Sequence, residues 1–248
     1  MLHHLLRFGL PSICAVCHSW PCAQPLCTAC QQRFVPVQPR CAGCALPLPG
    51  AALAGSALRC GACLTQPPPL DACFAAVDYA YPWSGLLARF KFQSEPGLAA
   101  LLGSLMLRSP GVAQAVGGAD WLLPMSLSPQ RLAQRGYNQA LLLAQQLARQ
   151  GAPQRCRADL LLRVQDTPPQ TQQSRAARIA NVRHAFAVQP LLASQLAGRS
   201  VLLVDDVMTS GASLYSAAAV LRQAGVARVG AVVLARTNSF APAPETPG

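Results

Sequence analysis

Val201-Leu202-Leu203-Val204-Asp205-Asp206-Val207-Met208-Thr209-Ser210-Gly211-Ala212-Ser213 is the stretch that decides the fold. Val201 to Val204 are uniformly apolar and read as a short, fully buried strand. A pair of carboxylates follows at its end, then a small, hydroxyl-rich turn. Leu214 to Ala224 is rich in Ala and Leu and stops at Gly225, which predicts a helix. Strand, acidic pair, Thr-Ser-Gly turn and helix start together suit a ribose and a phosphate. The turn offers backbone N–H groups and hydroxyls, with the positive end of the helix dipole behind them. Carboxylates at the C-terminal edge of a strand can accept hydrogen bonds from ribose hydroxyls, directly or through a magnesium shell. An ordinary strand–turn–helix joint with capping Asp residues is the plainer alternative. Against it, the chain has only nine acidic residues, and two of them stand side by side here.

Working outward, strands are expected at Phe74–Tyr81, Trp121–Met125, Arg183–Val188, Ser200–Asp205 and Arg228–Ala235. Helices are expected at Trp83–Phe92, with Ser84 as cap, and at Leu98–Arg108 after the Pro96-Gly97 break. One long amphipathic helix should run from Gln130 or Tyr137 to Gln150. Strands alternating with helices argue an α/β fold whose mainly parallel sheet carries helices on both faces. Pro67-Pro68-Pro69 reads as a stiff linker, and the Pro-rich end from residue 239 to residue 248 as a disordered tail.

Upstream of the linker the chemistry changes. Eight of the eleven cysteines form four C-x-x-C pairs: Cys14/Cys17, Cys27/Cys30, Cys41/Cys44 and Cys60/Cys63. Each pair can bite one metal ion, and two pairs complete a tetrahedral thiolate site, so structural zinc is expected. Sequential sites match the usual ribbon layout, and an interleaved pairing stays open. His18 and Cys22 lie near enough to substitute as ligands; Cys73 and Cys156 read as ordinary thiols. Too few large apolar residues precede Pro69 for a separate core, so the metal must supply folding energy.

Apolar residues make up 52% of the chain, yet no apolar run approaches the roughly 20 residues of a membrane span. No cleavable leader is apparent, and we expect a cytoplasmic protein. Net charge is +11, nearly all from arginine, since Lys91 is the only lysine. Such a surface suits phosphorylated ligands or nucleic acid, although a compositional bias toward Ala, Leu, Pro and Arg would also produce it.

Three further segments bear on function. Leu123-Pro124-Met125-Ser126-Leu127 ends a strand with a turn, and Arg131-x-x-x-Arg135-Gly136-Tyr137-Asn138-Gln139 follows it. Arg131 and Arg135 are four apart, share a helix face and could clamp a phosphate. Arg163-x-x-x-Thr167-Pro168-Pro169-Gln170, with Arg175, Arg178 and Asn181, has the composition of a loop.

Val201 to Ser213 resembles the phosphoribosyl pyrophosphate (PRPP) motif of type I phosphoribosyltransferases. From Cys14 to about Arg236 the chain resembles the ComF family of competence-associated proteins. The resemblance implies a double zinc ribbon over 12–66 and a type I phosphoribosyltransferase-like domain over 70–238. It implies that Asp205 and Asp206 hold the ribose, Thr209, Ser210, Gly211, Ala212 and Ser213 the 5-phosphate, and magnesium the pyrophosphate. Met125, Ser126 and Leu127 match the loop that touches pyrophosphate; Arg131 and Arg135 lie in the signature after it. Lys91, in Arg89-Phe90-Lys91-Phe92, matches the family's L-K-[FY] element, and Gln170 and Arg175 match a lid.

The function implied is PRPP binding, with phosphoribosyl transfer and release of pyrophosphate as the associated reaction, in a protein of DNA uptake and natural competence. Competence proteins and single-stranded DNA are the implied partners. The alternative is a non-catalytic module that binds single-stranded DNA, its old phosphate pocket cradling backbone phosphates. No segment reads as a nucleobase pocket.

Overall fold

The computed structural model describes residues 11–48, 50, 58–149, 153–164 and 185–238. Its centre is a four-stranded sheet formed by β1 (Ala72–Asp78), β2 (Trp121–Pro124), β5 (Ser200–Met208) and β6 (Arg228–Arg236). The order is β1-β6-β5-β2 and every neighbouring pair is parallel. Parallel strands are joined by crossovers that cover both faces, so their sequences run apolar without alternation. Leu203, Val204, Val232 and Val233 accordingly have no exposed surface.

One face is covered by α3 (Trp83–Phe92), α4 (Leu98–Arg108), α5 (Val112–Gly117) and α7 (Gln139–Ala148), which pack with Leu202, Val204, Val232 and Leu234. The other carries α8 (Ala212–Gln223) and a short antiparallel pair, β3 (Leu161–Arg163) with β4 (Phe186–Val188). These pack with Val201, Leu203, Ala231 and Val233. The chain therefore leaves β2 toward one face and β5 toward the other. Where neighbouring strands send their connections to opposite faces, a crevice opens at their carboxyl ends.

Several boundaries differ from expectation for local reasons. β5 continues to Met208, because β6 pairs with it as far as Met208 opposite Arg236; the acidic pair thus lies inside the strand. β2 stops at Pro124, opposite Val204, which uncovers this last part of β5 on one side. Of the two expected starts for the long helix, Tyr137 is the nearer to α7, and a separate α6 (Pro129–Arg135) precedes it. Gly136, at φ +76°, ends α6 with its N–H on Leu132, and the Asn138 side chain caps α7 by accepting from Leu141 N–H. α3 begins after Pro82 with no side-chain cap, so Ser84 does not cap it. The predicted loop residues 167–170, 175, 178 and 181, and the tail 239–248, lie outside the described residues.

The cysteine-bearing segment holds α1 (Thr28–Phe34) and α2 (Gly61–Thr65) and packs on the sheet's flanks. Cys14, Leu26 and Cys30 join the core beneath α4 and α7, whereas Cys41, Cys44 and Cys63 join the core on the α8 face. Trp83 Nε1 donates to the Phe34 carbonyl at 2.9 Å, and Cys73 N–H to the Ala42 carbonyl at 2.8 Å.

Candidate functional site at the carboxyl edge of the sheet

A cleft of about 360 Å³ lies at the carboxyl edge. Lys91, Met125, Ser126, Arg131, Arg135, Asp205, Asp206 and the whole turn from Thr209 to Ser213 line it. Residues from α3, the β2–α6 loop, α6, β5 and α8 thus converge on one space.

Successive residues of a strand point to opposite faces, so Asp205 and Asp206 diverge. Asp206 lies on the α3 side, where its Oδ2 meets Lys91 Nζ at 2.9 Å. Asp205 Oδ1 accepts the Asp206 N–H at 2.8 Å. Burial and the neighbouring Asp206 carboxylate push the Asp205 carboxyl up to about 7, while Lys91 pulls it down.

The turn before α8 is shaped for an anion. Gly211, at φ +83°, is the N-cap and brings no side chain to the first-turn donors. A Cβ there would meet Met208 Cε at 2.5 Å and Tyr215 Cζ at 2.6 Å. Ala212 N–H donates to Ser210 Oγ at 3.3 Å, and the first turn has no acidic residue. Unsatisfied N–H groups at a helix start favour negative ligands.

Across the cleft, Asn138 Nδ2 donates to the Met125 carbonyl at 3.1 Å, tying the β2 loop to α7. Gln139 is 1% exposed; its Oε1 accepts from Arg135 at 3.1 Å, and its Nε2 has no partner among the described residues. Among the described lining residues, Lys91, Arg131, Arg135 and Arg163 outnumber the two carboxylates, so this lining is cationic.

Tyr79, Thr237, Asn138, Gln139 and Arg163 also line the cleft, although none was predicted as a ligand residue. Tyr79 and Thr237 simply follow the last residues of β1 and β6. Their one sequence signal is position after a strand, which becomes readable only once strand order is known. Asn138, Gln139 and Arg163 belong to motifs already quoted, but nothing in their spacing assigns them a contact.

The eight paired cysteines form two groups, Cys14-Cys17-Cys27-Cys30 and Cys41-Cys44-Cys60-Cys63, with each group's ligand atoms within 4.8 Å of one another. The pairing is therefore sequential, and neither His18 nor Cys22 belongs to a group. Both groups repeat one plan. His18 and Ala45, each just after a C-x-x-C, have positive φ and donate N–H to Cys14 and Cys41 carbonyls. Cys27 and Cys60 each stand at the N-cap position of a short helix that carries the second cysteine of the pair, and the Cys27 sulfur accepts from Cys30 N–H. Burial raises the Cys14 and Cys41 thiols, but surrounding backbone N–H groups outweigh it and bring them to about 6 and 7. Thiolates held this way fit a four-coordinate metal such as zinc.

Arg236 joins the second cysteine group to the cleft. It is 5% exposed; its Nε donates to the Cys44 carbonyl at 2.8 Å, and its guanidinium also donates to Met208, Thr209 and Thr237 carbonyls. It holds the base of the turn without pointing at the ligand space.

Comparison with known proteins fits this geometry. Residues 133–247 match the phosphoribosyl transferase domain model. DNA utilization protein YhgH of Escherichia coli O6:H1 is 31% identical over 240 residues, covering 92% of this chain and 98% of the relative. Competence protein F of Haemophilus influenzae is 33% identical over 214 residues, covering 85% and 90% respectively. A solved allosteric regulatory enzyme of purine biosynthesis overlaps 59% of this chain and 29% of its own, at 18% identity and TM-score 0.36, too distant to carry residues across. With two cysteine groups ahead of a phosphoribosyltransferase-like sheet, and such relatives along nearly its whole length, the chain belongs to the ComF family.

Proposed function

We propose that the cleft binds magnesium-PRPP and that the protein serves DNA uptake, a reading supported by relatives named for DNA utilization and for competence. One observation carries the ligand assignment: the acidic pair and the open start of α8 share a single cationic cleft. Asp205 and Asp206 would accept hydrogen bonds from the ribose 2- and 3-hydroxyls. Thr209 through Ser213 would surround the 5-phosphate with N–H groups and hydroxyls. Met125 and Ser126 would face the pyrophosphate, with Arg131 and Arg135 offsetting its charge, and Lys91 would hold Asp206 in place. Bound magnesium supplies further neutralisation of the pyrophosphate. In a transfer reaction, the same carboxylates would stabilise positive charge developing at ribose C1 as the C1–oxygen bond breaks.

Calorimetric titration of PRPP, with and without magnesium, into metal-loaded wild type and the Asp205→Asn/Asp206→Asn variant tests this. We expect magnesium-dependent binding that weakens by about 100-fold or more in the variant, as loss of two charged acceptors requires. No binding to folded wild type overturns the proposal. The +11 charge and the relatives' names also favour a second function, binding of single-stranded DNA on the basic surface. Affinity that falls steeply with salt and is indifferent to Asp206→Asn would mark that surface as separate from the cleft.

A further inference from the structure

Arg236 is a buried cation without a carboxylate partner. It ends β6, the strand that pairs with both β1 and β5. None of the ion pairs among the described residues includes it. Its guanidinium meets carbonyls instead: Nε on Cys44 at 2.8 Å, and Nη1 on Met208 at 3.2 Å, on Thr237 at 2.7 Å and on Thr209. A buried charge held by neutral acceptors alone is costly, so such a cation calls for a counter-charge nearby. The second cysteine group can supply one. Four thiolates around a divalent ion leave a net charge of about −2. Cys44, one of the four, is the residue that Arg236 holds.

Both ends of this strap are tightly made. The turn at Cys41 is closed by Ala45 N–H on the Cys41 carbonyl at 2.7 Å, and Cys73 of β1 donates to Ala42 in the same turn at 2.8 Å. A Cβ on Gly43 would meet Cys63 Sγ and Pro68 Cγ at 3.2 Å, so the turn has little room to shift. At the other end, Thr237 N–H joins Arg236 on the Met208 carbonyl, at 3.1 Å. A trans peptide carries its C=O and N–H on opposite sides. Holding the Met208 and Thr209 carbonyls on Arg236 therefore turns the Thr209 and Ser210 N–H groups away from it, and both residues line the cleft. The first cysteine group is attached elsewhere: Phe34, which ends the helix carrying Cys30, accepts from Trp83 of α3.

We infer that Arg236 is a positioning residue that couples the second cysteine group to the phosphate-binding turn, so that metal on one side and a phosphorylated ligand on the other tighten each other's binding. The inference rests on the ribose-phosphate assignment of the cleft. With the thiolate charge beside it, Arg236 stays buried and keeps the Met208 and Thr209 carbonyls turned inward. Once that charge is lost, the guanidinium loses its electrostatic anchor and the turn loses its floor. Linkage makes the effect reciprocal: a ligand that fixes the turn raises the metal affinity of the second group by the same factor. Lysine does not replace arginine here. Its compact ammonium keeps the charge but lacks the planar fork that spans Cys44 and the turn.

Equilibrium competition for zinc between the full-length protein and a chelator, with and without saturating ribose 5-phosphate, tests this. We expect one of two zinc affinities to rise by about fivefold or more with the sugar phosphate, and the other to stay unchanged. The rise should persist in Cys17→Ser, which impairs the first group. It should vanish in Arg236→Lys, whose second group still holds zinc about as tightly as wild type. Arg236→Met, which removes the charge as well, should lose about tenfold or more of that zinc affinity. Should Arg236→Met fail to fold, the Arg236→Lys comparison still decides. If ribose 5-phosphate binds wild type but shifts neither zinc affinity, or shifts one equally in Arg236→Lys, the coupling is overturned while the cleft assignment stands. A shift that Cys17→Ser abolishes also overturns it. If ribose 5-phosphate does not bind folded wild type, the cleft assignment falls and the coupling with it.

Discussion

Asp205 and Asp206 are chemically identical neighbours with different surroundings. Asp206 is buried and paired with Lys91 at 2.9 Å, whereas the Asp205 carboxyl is pushed up by its surroundings and by the Asp206 carboxylate beside it. Raising the Asp205 carboxyl to about 7 in the folded state means that folding favours its protonated form. This stabilisation is fully present below the ordinary carboxylate range and is lost as pH rises through about 7. Asp205→Asn should therefore raise the melting temperature more at pH 8 than at pH 5, even as it weakens ribose-phosphate binding. Thermal melts at the two pH values check this; equal shifts would show that Asp205 is ordinary in the folded protein. A carboxylate proposed to bind ligand at a cost in stability fits the general tension between activity and rigidity. The pair was legible because two carboxylates between a buried strand and a Thr-Ser-Gly turn are hard to explain structurally. Tyr79 and Thr237 were illegible because neither carries a pattern of its own.

At the level of elements, two glycines do different work. Gly136 separates α6 from α7 at φ +76°, with nothing within 4 Å of a Cβ placed there. Gly136→Ala should cost about 1 kcal/mol, from backbone strain alone. Gly211, at φ +83°, also has Met208 and the Tyr215 ring against its missing Cβ. Gly211→Ala should cost about 2–4 kcal/mol, because overpacking adds to strain, and should also displace the first-turn donors of α8. Urea denaturation measures the difference. Similar losses for both variants would mean that Met208 and Tyr215 yield freely. The 128–149 segment shows what spacing left open: between the expected starts at Gln130 and Tyr137 lies the end of α6, which buries no residue, and only α7 carries the buried face. The break lies in Gly136 and Asn138, which read as stop and start signals only when taken together.

Across the whole molecule, the cysteine groups are built into the sheet's two cores rather than hung from one end. The second group reaches the cleft through Arg236, which spans Cys44 and the carbonyls at the base of the Thr209 turn. Loss of metal there should loosen the turn, whereas loss at the first group should not. Hydrogen exchange across residues 209–213, compared between Cys60→Ser and Cys17→Ser, tests this: faster exchange is expected in Cys60→Ser alone. Exchange unchanged in both would confine Arg236 to a local packing role. Stripping metal from a metal-loaded protein with a chelator should lower the melting temperature strongly, since the unliganded thiols of each group lie at the margin of one of the two cores.

Much was present in the chain itself: the eight cysteines of the two groups, the β5–α8 motif, the α/β alternation and the basic balance. Each depends on neighbours within a few residues, or on a spacing that one turn imposes, so local chemistry suffices. Strand order, the opposite departures of β2 and β5, sequential pairing of the cysteines and the gathering of Lys91, Arg131 and Arg135 in one cleft with Asp206 came only with the fold. Those depend on contacts between residues far apart in the chain, such as Lys91 with Asp206 and Cys44 with Arg236. The free energy of such contacts comes from packing that no local pattern records.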